Sequence, residues 1–106
     1  MAKYLLQGSY TAEGSKGLLK DGGSKRRAAA KTLVESLGGK IECLYFAFGE
    51  TDVLAIVDMP DSASAAAASL TIGASGALAG KMTVLLTPEE IDQAAKKSAK
   101  YTPPGK

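Results

Sequence analysis

An acidic loop of four residues, Gly49-Glu50-Thr51-Asp52, carries the side chains with the clearest capacity for chemistry. Its two carboxylates, Glu50 and Asp52, could bind a cation or share acid–base work, because neighbouring acids can acquire different pKa values. The simpler interpretation, which we favour, is a hairpin connection. In that interpretation Gly49 adopts a backbone conformation that other residues avoid, and Asp52 accepts hydrogen bonds from the turn backbone.

Aromatic and basic side chains extend this candidate ligand site beyond the loop. We assign to it Tyr10, Tyr45, Phe48, Glu50, Asp52 and Lys81. In a pocket, the tyrosine hydroxyls would orient a small, partly apolar ligand, and Lys81 would attract an anion. The alternatives are that both tyrosines pack in the core or in an interface, and that Lys81 is an ordinary exposed strand residue.

Composition argues against several kinds of site. The chain has no His and one Cys, so Cys43 has no histidine beside it to generate a nucleophilic thiolate. A tight transition-metal site is not expected without His, and a Mg²⁺ or Ca²⁺ site would need more oxygen ligands than this loop supplies. We therefore predict no catalytic residue, no metal and no cofactor, and we favour a non-enzymatic role.

The charge pattern does not indicate nucleic-acid binding. The net charge is only +2, and the basic cluster of Lys25, Arg26, Arg27 and Lys31 lacks an aromatic stacking platform. We interpret this cluster as a solvated helix face, and we expect no nucleic-acid partner.

Nothing in the chain predicts a membrane partner or secretion. The sequence becomes polar at Gln7, too early for a signal-peptide core, and the alanine-rich tract at 63–68 is too short to span a bilayer. A lone cysteine suits a reducing compartment, so we predict a cytoplasmic protein.

Hydrophobic periodicity predicts an α+β domain of ferredoxin-like type. Strands are expected at residues 3–10, 40–48, 52–59 and 79–86, with a loop at 11–23 that holds at most one helical turn. Helices are expected from Ser24 to Leu37, over 62–73 after an Asp61 cap, and from Pro88 onward. This order is βαββαβ with an added C-terminal helix, which predicts a four-stranded antiparallel sheet. We place a single domain at 1–100 and a disordered tail at 101–106.

The strand patterns predict a second apolar sheet face. Alternation places Ile41, Cys43 and Tyr45 on one face of the second strand and Leu44, Phe46 and Phe48 on the other. Helices can cover only one face, and large apolar side chains on the other face would favour association. We therefore predict a homodimer, or a larger homo-oligomer, with sheet packed on sheet. Its candidate interface residues are Leu44, Phe46, Phe48, Leu54 and Ile56.

Four stretches resemble the GYD-domain family, which belongs to the dimeric α+β barrel group of ferredoxin-like folds. They are YTAEGSKGLLKDGGSKRRAA, SLGGKIECLYFAFGETDV, IVDMPD and TVLLTPEEID, and together the resemblance covers about residues 3–95. The family is named for a Gly-Tyr-Asp type of element at the hairpin, where this chain has Thr51 in place of the common aromatic residue. If that aromatic residue stacks on a ligand in relatives, the resemblance implies that this chain has altered the contact.

Two functional hypotheses remain open at this point. The first is a non-enzymatic small-ligand-binding or assembly module that acts as a homo-oligomer. The alternative is suggested by relatives in the wider barrel group, which include cofactor-independent monooxygenases. In such an enzyme Tyr10, Tyr45 and the Glu50/Asp52 pair would hold and deprotonate a phenolic substrate, and a pocket below about 300 Å³ would argue against it.

Overall fold

The computed structural model describes all 106 residues and contains four strands and four helices. In chain order these are β1 (Ala2–Tyr10), α1 (Ala12–Asp21), α2 (Gly23–Ser36), β2 (Lys40–Phe46), β3 (Val53–Met59), α3 (Ser62–Ala74), β4 (Leu78–Leu85) and α4 (Pro88–Lys96). All four predicted strands are confirmed, with β2 ending two residues earlier than expected.

The strands form one antiparallel sheet in the order β2-β3-β1-β4. This arrangement confirms the predicted ferredoxin-like α+β fold. Both central strands, β3 and β1, pair with two neighbours, and β2 and β4 form the edges. In this order β1 lies between β3 and β4, which belong to the second half of the chain, so each sheet face combines residues from both halves.

A β-bulge in β2 decides which of its side chains face the helices. Ile41 pairs with Val57 but Cys43 pairs with Ile56, so Glu42 is the extra residue. An extra residue reverses the alternation of faces beyond it. Ile41 and Leu44 therefore lie on the same, helix-covered face, whereas simple alternation had placed them on opposite faces.

The core lies between the sheet and helices α2 and α3. Its buried members are Tyr4, Val34, Ala55, Val57, Met59 and Ala65. On α2, Val34 is buried and Leu33 and Leu37 are half-buried, so these three side chains form the apolar stripe that faces the sheet. α2 packs mainly on β2 and α3 mainly on β4, so the two helices rest on the sheet rather than on each other.

The inner face of α3 differs from the one that its helical pattern predicts. That pattern places Ala63, Ala66, Ala67 and Leu70 inward, but three of them are exposed, Leu70 to 73 %, and Ala67 is half-buried. Ala65 and Ala68 are buried instead. The Asp61 cap is confirmed, since its side chain accepts a hydrogen bond from the Ser64 amide at 2.7 Å.

Helix α1 occupies a segment that we had predicted to be a loop. Thr11 caps it by accepting a hydrogen bond from the Gly14 amide at 3.2 Å. The Thr11 amide donates to the Ala77 carbonyl at 3.0 Å, which fastens the start of α1 to the turn before β4. Gly14 is buried against that turn. These tertiary contacts stabilise a helix whose glycines disfavour it.

The C-terminal helix α4 begins as predicted but does not pack on the sheet. Thr87 and Glu90 form a capping box, with Pro88 at the first helical position. All nine residues of α4 are exposed, including its apolar Ile91 at 52 %. Residues 97–106 form no helix or strand.

Candidate functional site

The acidic loop is fastened to the end of β1 by both of its candidate acids. The Asp52 side chain accepts a hydrogen bond from the Tyr10 amide at 2.8 Å, and the Asp52 amide donates to the Gly8 carbonyl at 2.9 Å. The backbone carbonyl of Glu50 accepts a hydrogen bond from the Ser9 hydroxyl. Gly49 has a φ of +116°, as the hairpin interpretation required. Asp52 therefore holds backbone rather than a ligand in this arrangement, although its partner is β1 and not the turn itself.

The six predicted ligand-site residues do not converge on one point. Tyr10 lies on the helix-covered face of the sheet, while Phe48 and Glu50 are exposed in the loop. Tyr45 and Lys81 lie on the opposite, open face, in one row that runs Tyr45, Leu54, Gln7, Lys81 across the four strands. Three strand spacings separate Tyr45 from Lys81, which is roughly 14 Å.

The open sheet face has an apolar centre. No helix covers this face, and the row of Cys43, Ile56, Leu5 and Thr83 crosses its middle next to Leu54. Leu5, Leu54 and Ile56 are half-buried by their neighbours on the sheet, and Tyr45 is 69 % exposed. The central strands therefore present large apolar side chains to whatever contacts this face.

One end of the open face carries an internally paired charge cluster. The Lys3 ammonium lies 2.7 Å from Glu42 Oε1 and 3.0 Å from Asp58 Oδ1. The hydrogen bonds that Lys3 donates to these two carboxylates raise its pKa above the ordinary value of 10.5. The cluster combines one ammonium with two carboxylates, so the Lys3 cation is paired within the chain and the cluster has a net negative charge.

Two of the five predicted interface residues lie on the wrong face for that role. Leu44 and Phe46 point toward the helices because of the bulge at Glu42. Phe48 lies beyond the end of β2 in the loop and is fully exposed. Leu54 and Ile56 do lie on the open face. Cys43 and Tyr45 take the places on it that we had given to Leu44 and Phe46.

A cavity of about 230 Å³ lies between the sheet and helices α2 and α3. Seventeen of its twenty lining residues are hydrophobic, among them Leu6, Tyr10, Leu44, Phe46 and Met82. Sequence reasoning did not find this site. The apolar residues of β2 and β4 were visible, but the bulge that turns Leu44 and Phe46 into the cavity was not.

The basic cluster on α2 is divided between two surfaces. Arg26 lines the cavity, whereas Arg27 and Lys31 line a shallow groove along the edge strand β2. Lys31 lies 4.0 Å from Glu35, which is a surface pair of the predicted i, i+4 type. The cluster therefore does not form one continuous basic surface.

No helix of the structure combines the length and the apolar character needed to cross a membrane. No group of three or more Cys, Asp or Glu side chains is arranged to hold a metal ion.

Comparison with known proteins identifies the family but no individual relative. No curated protein matches this sequence. The GYD domain family model matches residues 4–95, a range that runs from β1 into α4 and includes the acidic loop, the open sheet face and the cavity. The chain therefore belongs to the GYD-domain family.

Proposed function

We propose that this GYD-domain protein is a non-enzymatic assembly module that acts as a homodimer through its open sheet face. The observation that carries the proposal is the apolar centre of that face, formed by Leu5, Leu54 and Ile56 on the two central strands. Charged and polar residues surround this centre, with Lys3 at one end and Lys81 on the far edge strand. An apolar centre within a polar rim is the usual anatomy of a protein interface.

The dimensions of the face suit a two-fold interface. Four strands of seven to nine residues give an area of roughly 20 by 26 Å, about 500 Å² in projection. Stable interfaces bury about 800 Å² per partner. Side chains that project from the sheet make the buried area larger than this projected area. The exposed helix α4 can add more by contacting the second subunit. In a two-fold dimer the same residues serve both partners, so one apolar centre is sufficient.

The monooxygenase alternative loses its geometric basis. It required Tyr10, Tyr45 and the two acids to surround one substrate, but the sheet separates the tyrosines and Asp52 is bonded to backbone. The cavity of about 230 Å³ beside Tyr10 is not lined by Tyr45, Glu50 or Asp52, so it does not bring together the groups that this reaction would need.

Native mass spectrometry and light scattering test the assembly. The wild type is expected at twice the chain mass of 10.8 kDa. Ile56→Lys places a charge at the apolar centre and is expected to yield a monomer with unchanged circular dichroism. Val84→Lys is the matched control, because Val84 is 57 % exposed on the helix-covered side of β4, where it pairs with Tyr4. A wild-type monomer at tens of micromolar, or equal dissociation by both variants, would contradict the proposal.

A further inference from the structure

The cavity between the helices and the sheet opens at one end of the fold. β1 and β2 end there at Tyr10 and Phe46, and β3 and β4 begin there. α2 also starts at this end and α3 finishes at it. The gap exists because α2 packs beside β2 and α3 beside β4, near opposite edges of the same sheet face.

The polar lining of the cavity is concentrated at that open end. Only three lining residues are not hydrophobic: Arg26 in the first turn of α2, and Thr71 and Ser75 in the last turns of α3. The deeper wall includes Val34, Ile41 and Val57 and is entirely apolar. The cavity is therefore amphipathic along its length, with an apolar interior and a polar mouth.

Arg26 is the only charged residue that lines the cavity, and Asp21 lies beside it. The Arg26 guanidinium has its nearest ion-pair contact with Asp21 Oδ2 at 3.7 Å, which is too long for a hydrogen bond. Its donors therefore remain available for a bidentate acceptor. The adjacent start of α2 has Gly22 as its N-cap without a side-chain cap, and no acidic residue lies in its first turn. Unpaired amides and the helix dipole favour an anion at such a position.

Backbone packing places this helix start against the cavity rim. A Cβ atom at Gly23 would lie 3.2 Å from the Phe46 ring, so the first residue of α2 is in contact with a side chain that lines the cavity. An anion held by Arg26 and the α2 amides would thus have its apolar body directed at the cavity beyond Phe46.

We propose that this cavity binds a small apolar monocarboxylate, with its chain or ring inside and its carboxylate between Arg26 and the start of α2. A buried cavity of about 150 Å³ is known to hold benzene, so 230 Å³ accommodates a substituted ring or a medium-length chain. The site lies within one subunit on the face opposite to the proposed dimer interface. Its success or failure is therefore separate from that of the proposed assembly.

Amide chemical shifts of the ¹⁵N-labelled full chain, titrated with octanoate and with benzoate, test the proposal. We expect saturable shifts at the start of α2, the end of α3 and the ends of β1 and β2. Octanol and octylamine, which have the same chain without the negative charge, are expected to bind at least tenfold more weakly than octanoate.

Three variants separate the cavity from general charge effects. Arg26→Gln is expected to weaken octanoate binding by about tenfold or more, because it removes a charge-assisted hydrogen bond. Arg27→Gln, the neighbouring change on the other surface of α2, is expected to leave binding within about twofold. Ala30→Leu adds volume to the cavity wall and is expected to abolish binding, while the amide spectrum remains that of a folded protein. The monomeric Ile56→Lys variant is expected to bind like the wild type.

The outcomes that overturn the proposal are equally specific. Linear, non-saturating shifts with both acids would show that no site exists. If Arg26→Gln and Arg27→Gln weakened octanoate binding equally, the loss would follow from the change in net charge and not from a contact with Arg26. Unchanged binding in a folded Ala30→Leu variant would place the acid outside the cavity.

Discussion

Two glycines in helix α1, Gly14 and Gly17, should respond in opposite directions to the same substitution. Gly17 has nothing within 4 Å of the position where a Cβ would lie, so Gly17→Ala only restricts the unfolded chain and improves helix propensity. The expected gain is about 0.5–1 kcal/mol. Gly14→Ala makes the same change three residues earlier, at a site where the space is already occupied.

The cost at Gly14 follows from its neighbours. A Cβ there would lie 2.9 Å from the carbonyl carbon of Ala77 and closer still to its oxygen, and 2.8 Å from Cδ1 of Tyr10. The backbone of α1 must move away, and the hydrogen bond from the Thr11 amide to the Ala77 carbonyl is then lost. Overpacking costs about 1–3 kcal/mol and the hydrogen bond about 1 kcal/mol. After the helix-propensity gain of about 0.5–1 kcal/mol, the net loss is about 1–3.5 kcal/mol.

Thermal unfolding followed by circular dichroism measures both changes. At about 5 °C per kcal/mol for a domain of this size, Gly17→Ala should raise Tm by about 3–5 °C and Gly14→Ala should lower it by about 5–17 °C. If both variants shift Tm in the same direction, or if Gly14→Ala leaves it unchanged, then α1 does not pack on the Ala77 turn as described.

Three further perturbations test the core and the charge pairs. Met59→Ala empties a fully buried position and should cost about 2–5 kcal/mol in urea unfolding, whereas an unchanged midpoint would mean that the site is not core. The hydrogen bond from the Ser64 amide lowers the pKa of Asp61 below its ordinary value of 3.8. The contribution of Asp61 to folding stability is therefore complete above pH 3.8 and is lost as the pH falls through the folded value. Asp61→Asn keeps the cap and should flatten this acid dependence; an unaltered acid limb in the variant's stability curve would refute the assignment. Because the pKa of Lys3 is raised, its contribution to folding stability is complete below pH 10.5 and is lost as the pH rises through the folded value. Lys3→Met should therefore remove part of the loss of stability at alkaline pH. Identical alkaline limbs in the stability curves of variant and wild type would contradict the pairing.

The sequence predicted most of the fold because its elements are separated by strong local signals. Pro88 after Thr87, Gly38-Gly39 after α2, and the Asp61 cap each fix an element boundary by local chemistry alone. Gly38 has a φ of +83°, which few other residues would adopt. Patterns of this kind need no knowledge of the rest of the chain.

The features that were missed depend on contacts between distant segments. In β2 every residue from Ile41 to Phe46 except Glu42 is apolar or aromatic, so no change of pattern reveals where the alternation reverses. In α3, residues 65–68 are all alanine, and the hydrophobic pattern therefore leaves the rotation of the helix undetermined.

Helix α1 did carry a readable signal. Thr11 followed by an acid in the first turn, Glu13, is typical of a helix start. We predicted a loop because the glycines after Thr11 disfavour a helix. The contact that compensates for these glycines, with the Ala77 turn, lies more than sixty residues away in the sequence. The candidate ligand-site residues are spread over the fold for a similar reason, since the bulge in β2 places Tyr10 and Tyr45 on opposite sheet faces.

The separation of α2 from α3 has a consequence for motion. α2 contacts the sheet beside β2 and α3 contacts it beside β4, so we expect a local opening of one helix to leave the sheet contacts of the other in place. Such openings are local fluctuations that require far less than global unfolding. Amide hydrogens of the two helices should then exchange with solvent at independent rates, while those of β1 and β3 exchange last. A molecule as large as the cavity could enter and leave on the timescale of these helix movements while the sheet remains intact.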